Sequence, residues 1–215
     1  MSEIYEIKRE GITYFCLKGT SLLHKEDGPA VIDNKSGKIE WRFKGLLHRD
    51  GGPAVEWDSG RKEWYKNGDR HREGGPAIIH ERGEEWWLNN KLHREGGPAC
   101  TYGESLVKWY KNGLLHREDG PAIKDVDIEE WLINGVRHRK DGPALISSYK
   151  EVWYWKGRCH REDGPAVIFN GRDFLNCVEE WHNNGRKFKT KEEWFESLKQ
   201  KQKLKALYSE YFIKG

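Results

Sequence analysis

The sequence is poor in apolar residues and has no long run of them. Hydrophobic residues make up 36% of the 215 positions, and the mean hydropathy is −0.95, which is too little for a thick globular core and favours a thin fold. No segment approaches the ~18 apolar residues of a membrane span, and Met1 is followed by a polar stretch unlike a signal peptide. We therefore expect a soluble, intracellular, cytoplasmic protein.

Cysteine is scarce, and neither sign of charge dominates the chain. The cysteines follow no metal-binding or redox spacing, and the composition is not that of a disulfide-stapled secreted domain. We expect free thiols at Cys16, Cys100, Cys159 and Cys177. The formal net charge is +3, but residues 186–215 hold nine Lys/Arg against four Asp/Glu, a local +5 that leaves −2 elsewhere. An electrostatic partner would therefore meet the C-terminal segment.

Prolines are few, and all seven fall in one repeated motif. Each lies five residues after a histidine that opens a segment of the type His-Arg-Glu-Asp-Gly-Pro-Ala. The histidines recur at spacings of 24, 23, 22, 23, 22 and 22 residues: His24, His48, His71, His93, His116, His138 and His160. From His48 onward a tryptophan precedes each by seven residues: Trp41, Trp64, Trp86, Trp109, Trp131 and Trp153. This fixed period predicts stacked tandem units, and its regular aromatic residues argue against disorder.

Each unit is too short for a strand–helix–strand crossover. Short β-branched and aromatic runs between turn formers predict two antiparallel strands per unit, with tight turns at Asn67-Gly68, Asn112-Gly113 and Asn134-Gly135. Asp or Gly stands three residues after each histidine, and because both residue types tolerate a positive φ, this alternation indicates a backbone role for the position. The predicted fold is all-β, an elongated solenoid or meander of antiparallel β-hairpin repeats with equivalent residues ~9.6 Å apart, closed by a short C-terminal capping α-helix.

The ends of the chain depart from the repeat. Residues 1–23 predict a cap hairpin and residues 24–188 hold the repeats, so that the array occupies 1–189 and a helical cap occupies 190–215. Thr190 stands three residues before Glu193, a capping box that predicts one helix through about Tyr211. Terminal elements of this kind cover the open ends of a repeat array.

The unit Glu-Trp-Tyr-Lys-Asn-Gly-x-x-His-Arg-Glu-Asp-Gly-Pro-Ala resembles the MORN-repeat variant over about residues 21–188. Its His-Arg-x-Asp-Gly-Pro-Ala form is most similar to members from large DNA viruses of amoebae, although the Gly-rich pattern of eukaryotic MORN repeats is only partly present. The resemblance implies a β-hairpin repeat protein, located in the host cytoplasm or the virion if viral. It also implies a non-catalytic scaffold that binds proteins, self-associates or contacts membrane lipid.

The repeated histidines invite a metal or catalytic interpretation. At ~9.6 Å, equivalent histidines are too far apart to share a zinc ion. The Asp three residues on could pair with the histidine for acid–base work, but Gly replaces it in three units. We expect structural histidines that hydrogen-bond across the turn, a tryptophan ladder in the core, and no metal or cofactor.

The arginines that follow the histidines could form a basic stripe for phosphate or nucleic acid. Acidic residues at the next position and before the tryptophans nearly cancel this charge, so we expect an ion-pair ladder and no nucleic-acid partner. Cys159 beside His160 resembles a nucleophile–base pair only in sequence, because adjacent strand residues point to opposite faces. We expect no enzyme active site.

A second aromatic row directly follows the tryptophans and must face the other side of the strand. It either packs within the chain or forms a groove for a peptide, a helix or a second copy of the protein. The candidate binding residues are Tyr65, Trp87, Tyr110 and Tyr154. We expect a non-enzymatic scaffold that binds a protein partner or itself as a homodimer, the alternative being a phospholipid surface that meets the basic C-terminal segment.

Overall fold

The structure, a computed structural model, describes residues 3–170 and 178–213, and Cys177 lies outside them. The chain forms two compact units, Met1–Gly113 and Leu114–Gly215. Each consists of antiparallel β-hairpins in a meander, and the second ends in helices. The predicted all-β fold class with a helical C-terminal segment is therefore confirmed.

The first unit opens with the predicted hairpin, β1 (Ile4–Arg9) and β2 (Ile12–Leu17), joined by Glu10-Gly11 with both residues at positive φ. Such two-residue turns match the twist of paired strands. β2 pairs with Val31–Asp33, and the meander continues through Lys38–Glu40, Val55–Trp57, Lys62–Glu63, Ile78–His80, Gly83–Glu85, Cys100–Tyr102 and Leu106–Lys108. Two-residue strands alternate with these: Arg42–Phe43, Leu46–Leu47, Tyr65–Lys66, Asp69–Arg70, Trp87–Leu88, Lys91–Leu92 and Tyr110–Lys111.

The second unit has the same organisation. Its meander strands are Ile123–Lys124, Ile128–Glu130, Leu145–Ser147, Lys150–Val152, Val167–Phe169, Val178–Asn183 and Arg186–Phe188. Its two-residue strands are Leu114–Leu115, Leu132–Ile133, Val136–Arg137, Tyr154–Trp155 and Arg158–Cys159.

A repeat contains four strands, and the prediction of two was wrong. The β-structure is interrupted at each of the six tryptophans that precede a repeated histidine by seven residues, and this separates a meander strand from a two-residue hairpin. Trp64 shows the cause, because its N–H donates to the Ala77 carbonyl at 2.7 Å and its own carbonyl accepts from the His71 N–H at 3.2 Å. Both backbone groups therefore bond to the loop that follows instead of to a neighbouring strand.

The loop after each histidine has two backbone forms, and only the glycines at the third position use the tolerance of positive φ that they share with aspartate. Gly51, Gly74 and Gly96 have φ between 71° and 74°. An L-residue in that region costs roughly 1–2 kcal/mol, and the aspartates at the equivalent position avoid it: Asp27, Asp119, Asp141 and Asp163. Asp119 instead accepts a hydrogen bond from Arg117 Nε at 2.9 Å.

The most deeply buried side chains are the alanines that end the repeated motif. All seven have zero exposed surface: Ala30, Ala54, Ala77, Ala99, Ala122, Ala144 and Ala166. The next residue in each repeat is aliphatic or Cys and is buried or half-buried. Because small side chains fill the interior, the apolar content of the chain suffices for a thin core.

The predicted single C-terminal helix is divided into α1 (Lys191–Glu196) and α2 (Gln200–Ile213). The capping interaction is present, since Thr190 Oγ1 accepts from the Glu193 N–H at 3.2 Å. Ser197 ends α1, and its hydroxyl donates to the Trp194 carbonyl at 2.6 Å. A serine that bonds the backbone in this way competes with helix continuation.

Candidate functional site

The arginines of the repeated motif stack on the tryptophans of the same repeats. Each guanidinium carbon lies 3.8–4.1 Å from an indole ring centroid in five repeats, in the pairs Arg49–Trp41, Arg72–Trp64, Arg94–Trp86, Arg139–Trp131 and Arg161–Trp153. The tryptophans are half-buried rather than enclosed in a core. The arginines therefore cover the tryptophan ladder through cation–π contacts.

Each of these arginines also closes its own loop. Its Nη1 donates to the proline carbonyl four residues on at 3.0–3.5 Å in six repeats. The glycine three residues after the arginine lies under the guanidinium, where a Cβ atom would come within 2.7–3.0 Å of the Cζ atom: Gly52, Gly75, Gly97, Gly120, Gly142 and Gly164. None of these glycines has a φ in the left-handed region, and a side chain at this position would have to displace the guanidinium. Lys25 replaces the arginine in the first repeat, and its Nζ lies 3.9 Å from the centroid of the Phe15 ring.

The expected ion-pair ladder would pair the arginines of the repeated motif with the acidic residues that follow them and those that precede the tryptophans. Several of these acidic residues contact other groups instead. Glu73 Oε1 lies 3.5 Å from His71 Nε2, and the buried Glu63 belongs to a separate network. Some arginines do form ion pairs, such as Arg49 with Glu56 at 2.7 Å. The charge of the arginine row is thus partly neutralised, and its planar groups are occupied by the indole stacks.

The histidines link consecutive repeats. In all seven repeats Nδ1 lies 3.1–3.3 Å from a backbone N–H in the hairpin turn of the following repeat. In two repeats, Nδ1 of His71 and of His116 also contacts the side-chain Oδ1 of the turn asparagine at 2.8 and 2.9 Å. The donors all have positive φ: Lys44, Asn67, Asn89, Asn112, Asn134, Lys156 and Asn184. A turn residue in this conformation leaves its N–H without a strand partner, and the imidazole satisfies it.

The surroundings of the histidines and of Cys159 bear on metal binding and nucleophilic chemistry. No three His, Cys, Asp or Glu side chains in residues 3–170 and 178–213 are arranged to hold a metal ion. Burial raises the pKa of the Cys159 thiol to about 11, and Glu180 adds to the effect. Burial also lowers the pKa of the neighbouring His160. A thiol in this state is a poor nucleophile at neutral pH.

In the first unit, the second aromatic row is part of a polar network. Tyr65 Oη donates to Glu63 Oε2 at 2.8 Å and accepts from Arg70 Nε at 3.3 Å. Trp87 Nε1 donates to Glu85 Oε2 at 2.7 Å, and the Arg70 guanidinium lies 5.2 Å over the Trp87 ring. Burial raises the pKa of Tyr65, and the hydrogen bond to Glu63 does so further. The row is therefore anchored within the chain while its rings stay half-exposed.

The remaining members of the row occupy similar surroundings. Tyr110 is half-buried, and burial raises its pKa. In the second unit, the Arg137 guanidinium lies 5.4 Å over the Tyr154 ring and its Nε donates to Glu130 Oε2 at 2.8 Å. The following surface is called the aromatic face: Tyr65, Trp87 and Tyr110 with Glu63, Glu85 and Arg70 in the first unit, and Tyr154 with Glu130 and Arg137 in the second.

Each unit has a solvent-open depression on its aromatic face. Arg70, Ile78 and Glu85 line one of about 560 Å³ in the first unit. Glu130, Arg137 and Tyr154 line one of about 550 Å³ in the second, where the arginine comes from the repeat after that of Ile123. The sequence reasoning missed these two arginines, although both stand directly before the repeated histidine.

The last repeat is covered by the helical segment of the second unit. Trp194 is 1% exposed and packs with Phe188 and Leu198, and its ring centroid lies 4.7 Å from that of Trp181. From α2, Gln202 Nε2 donates to Glu162 Oε1 at 2.9 Å. The helices thus bury apolar surface that the final strands would otherwise expose.

Comparison with family models, curated proteins and solved structures finds no match to this chain. Among the described residues, no helix has the length and apolar character needed to cross a membrane.

Proposed function

We propose that this chain is a non-enzymatic repeat scaffold whose aromatic face binds a segment of a partner protein. The observation that carries the proposal is a contact that recurs in both units, an arginine over the aromatic ring of the following repeat: Arg70 over Trp87 and Arg137 over Tyr154. A surface that repeats one set of contacts suits a partner that makes several modest contacts at once. On this proposal the chain is a MORN-repeat variant, as its motif suggests.

The chemistry of the aromatic face supports protein recognition. Tyrosine, tryptophan and arginine are enriched among residues that dominate interface energies. Hydrogen bonds hold the Tyr65 hydroxyl and the Trp87 indole in place, so little side-chain freedom remains to be lost on binding. Arg70 and Glu85 would select a partner segment that offers a carboxylate beside a basic or amide group.

The test compares two double variants of the full chain. Tyr65→Ala with Tyr110→Ala removes rings from the aromatic face, whereas Lys66→Ala with Lys111→Ala alters the adjacent, exposed positions of the same short strands. Circular dichroism should confirm that both fold. Proteins captured by the wild type are identified by quantitative mass spectrometry. Each is then purified, and its binding to the wild type and to both variants is titrated.

We expect the tyrosine variant to lose the partner and the lysine variant to retain it. Equal binding by both would place recognition away from the aromatic face and refute this assignment.

A phospholipid surface is the second candidate partner. Leu204 and Leu207 of α2 are each 53% exposed, and the exposed Lys201 and Lys205 lie beside them. Exposed leucines next to lysines can enter an anionic interface. Flotation with phosphatidylserine vesicles should be lost in Leu204→Ala with Leu207→Ala, and flotation unchanged by these substitutions would reject this candidate.

A further inference from the structure

Strand β1 leaves one sheet edge of the first unit open. Among the described strands it pairs with β2, and five of its six side chains are exposed. Ile4 and Tyr5 are each 39% exposed. An exposed strand edge presents unpaired N–H and C=O groups that can bond another strand.

The geometry of the hairpin shows which backbone groups point outward. The two-residue turn makes Arg9 and Ile12 the hydrogen-bonded pair next to it, and such pairs alternate along an antiparallel ladder. The Lys18 N–H donates to the Glu3 carbonyl at 2.8 Å, in phase with this alternation. Residues 3, 5, 7 and 9 therefore bond to β2, and the backbone groups of Ile4, Glu6 and Lys8 face the open edge.

We infer that this edge pairs antiparallel with β1 of a second copy of the chain, about a two-fold axis at Ile7. This register places Glu6 opposite Lys8 of the second copy, and Lys8 opposite its Glu6. Both residues have outward backbone groups, so each opposing pair forms two backbone hydrogen bonds. The second copy is the occupant because β1 is complementary in charge to itself.

The side chains agree with this register on both faces of the strand. Glu6 and Lys8 already form an ion pair within one chain at 2.7 Å, and the two-fold axis would arrange four charges of alternating sign. On the other face, Tyr5 would lie opposite Arg9 of the second copy, a favourable aromatic–cation pair. Ile7 would meet its own counterpart at the axis.

The other registers are opposed by charge or by lack of overlap. Centring the axis on Glu6 brings two carboxylates together, and centring it on Lys8 brings two ammonium groups together, which is unfavourable across a strand pair. An axis between two residues would oppose an outward backbone group to an inward one, so no hydrogen bonds could form. An axis at Tyr5 would pair only residues 4–6 of the two strands, whereas the axis at Ile7 pairs residues 5–9. Charge and overlap together thus select one register.

Charge exchange in the full-length protein tests the pairing. Wild type, Glu6→Lys, Lys8→Glu and the double exchange Glu6→Lys with Lys8→Glu are compared by sedimentation equilibrium over a broad concentration range. Each single variant opposes like charges twice across the axis and should raise the dimer dissociation constant by about tenfold or more. The double exchange restores opposite charges and should restore the wild-type constant.

Two results would overturn the inference. One is a wild-type protein that stays monomeric at the highest concentration reached. The other is a dimer whose dissociation constant is unchanged in the single variants, which would place self-association elsewhere. Both measurements are independent of the aromatic face, because β1 contributes no residue to it, and circular dichroism checks that each variant folds.

Discussion

Substituting Gly97 should have opposite effects on stability depending on whether Arg94 is present. Gly97 lies under the Arg94 guanidinium, which stacks 3.9 Å over Trp86, and a Cβ atom there would come within 3.0 Å of Arg94 Cζ. Its φ lies outside the left-handed region, so alanine fits the backbone. Gly97→Ala therefore displaces the stack in the wild type and meets no obstacle in Arg94→Ala.

The magnitude follows from the contacts that are lost. A cation–π contact contributes about 0.5–2 kcal/mol, and the hydrogen bond from the charged Arg94 to the Pro98 carbonyl, 3.1 Å long, about 1.5 kcal/mol or more. Since Arg94 is partly exposed and its flexible end need shift by only a few tenths of an ångström, about 2 kcal/mol is the upper limit of the combined loss. Alanine for glycine at a compatible site stabilises by about 0.4–1 kcal/mol through the unfolded state. Gly97→Ala should thus destabilise the wild type by up to about 1.6 kcal/mol and stabilise Arg94→Ala by about 0.4–1 kcal/mol.

Urea unfolding followed by circular dichroism measures the four free energies of this double-mutant cycle. Gly96→Ala is the matched control, because Gly96 has φ +73° with no neighbour within 4 Å. The strain of alanine at position 96 should lower the free energy of unfolding equally in the wild type and in Arg94→Ala. If Gly97→Ala were equally destabilising with and without Arg94, the stack would not be the reason for glycine at this position.

Three further predictions concern the second unit. Burial lowers the pKa of His160 below its usual 6.5, and its Nδ1 accepts from the Asn184 N–H at 3.2 Å. The folded state therefore binds a proton less readily than the unfolded chain, so the stability that His160 contributes is present above 6.5 and lost as the pH falls below it. The unfolding free energy should drop more between about pH 7.5 and about pH 5.5 in the wild type than in His160→Gln, and equal drops would contradict the link. Burial raises the pKa of Cys159 from 9.0 to about 11, so at neutral pH its thiolate fraction is about a hundredfold lower in the folded than in the unfolded chain. Iodoacetamide should therefore alkylate Cys159 about a hundredfold more slowly in the folded than in the urea-unfolded protein. Similar alkylation rates of Cys159 in the two states, measured by peptide mapping, would refute this. Trp194→Ala should cost about 3–5 kcal/mol, because it removes a buried ring that packs on Trp181. A loss in urea unfolding below about 1 kcal/mol would mean that the helices are not needed for stability.

The all-β class and the N-terminal hairpin were predictable because they depend on local chemistry. Glu10-Gly11 and Asn67-Gly68 adopt the positive φ values of tight turns, and their residue types favour that region wherever they occur. Thr190 and Glu193 likewise form the expected cap over one helical turn. The break between the helices at Ser197 was not predicted, because the periodicity of apolar residues does not reveal a serine that bonds to the backbone.

The candidate site was only partly predictable, because its residues meet across the sheet. Tyr65, Trp87, Tyr110 and Tyr154 stand out in the sequence as a row, but the carboxylates and arginines that contact their rings and hydroxyls come from other strands. Arg70 reaches Trp87 across neighbouring repeats at 5.2 Å. No spacing rule within one repeat could have indicated that contact.

The sequence by itself determined the period, the turn positions and the tendency to form hairpins, since these follow from the conformational preferences of neighbouring residues. Only the tertiary structure decided what the repeated side chains do. His93 bonds to the turn of the next repeat through Asn112, at 3.1 Å. Arg94 lies between Trp86 and Gly97 because the loop folds back over the strand break. These roles depend on distances through space, which a one-dimensional pattern of residues does not contain.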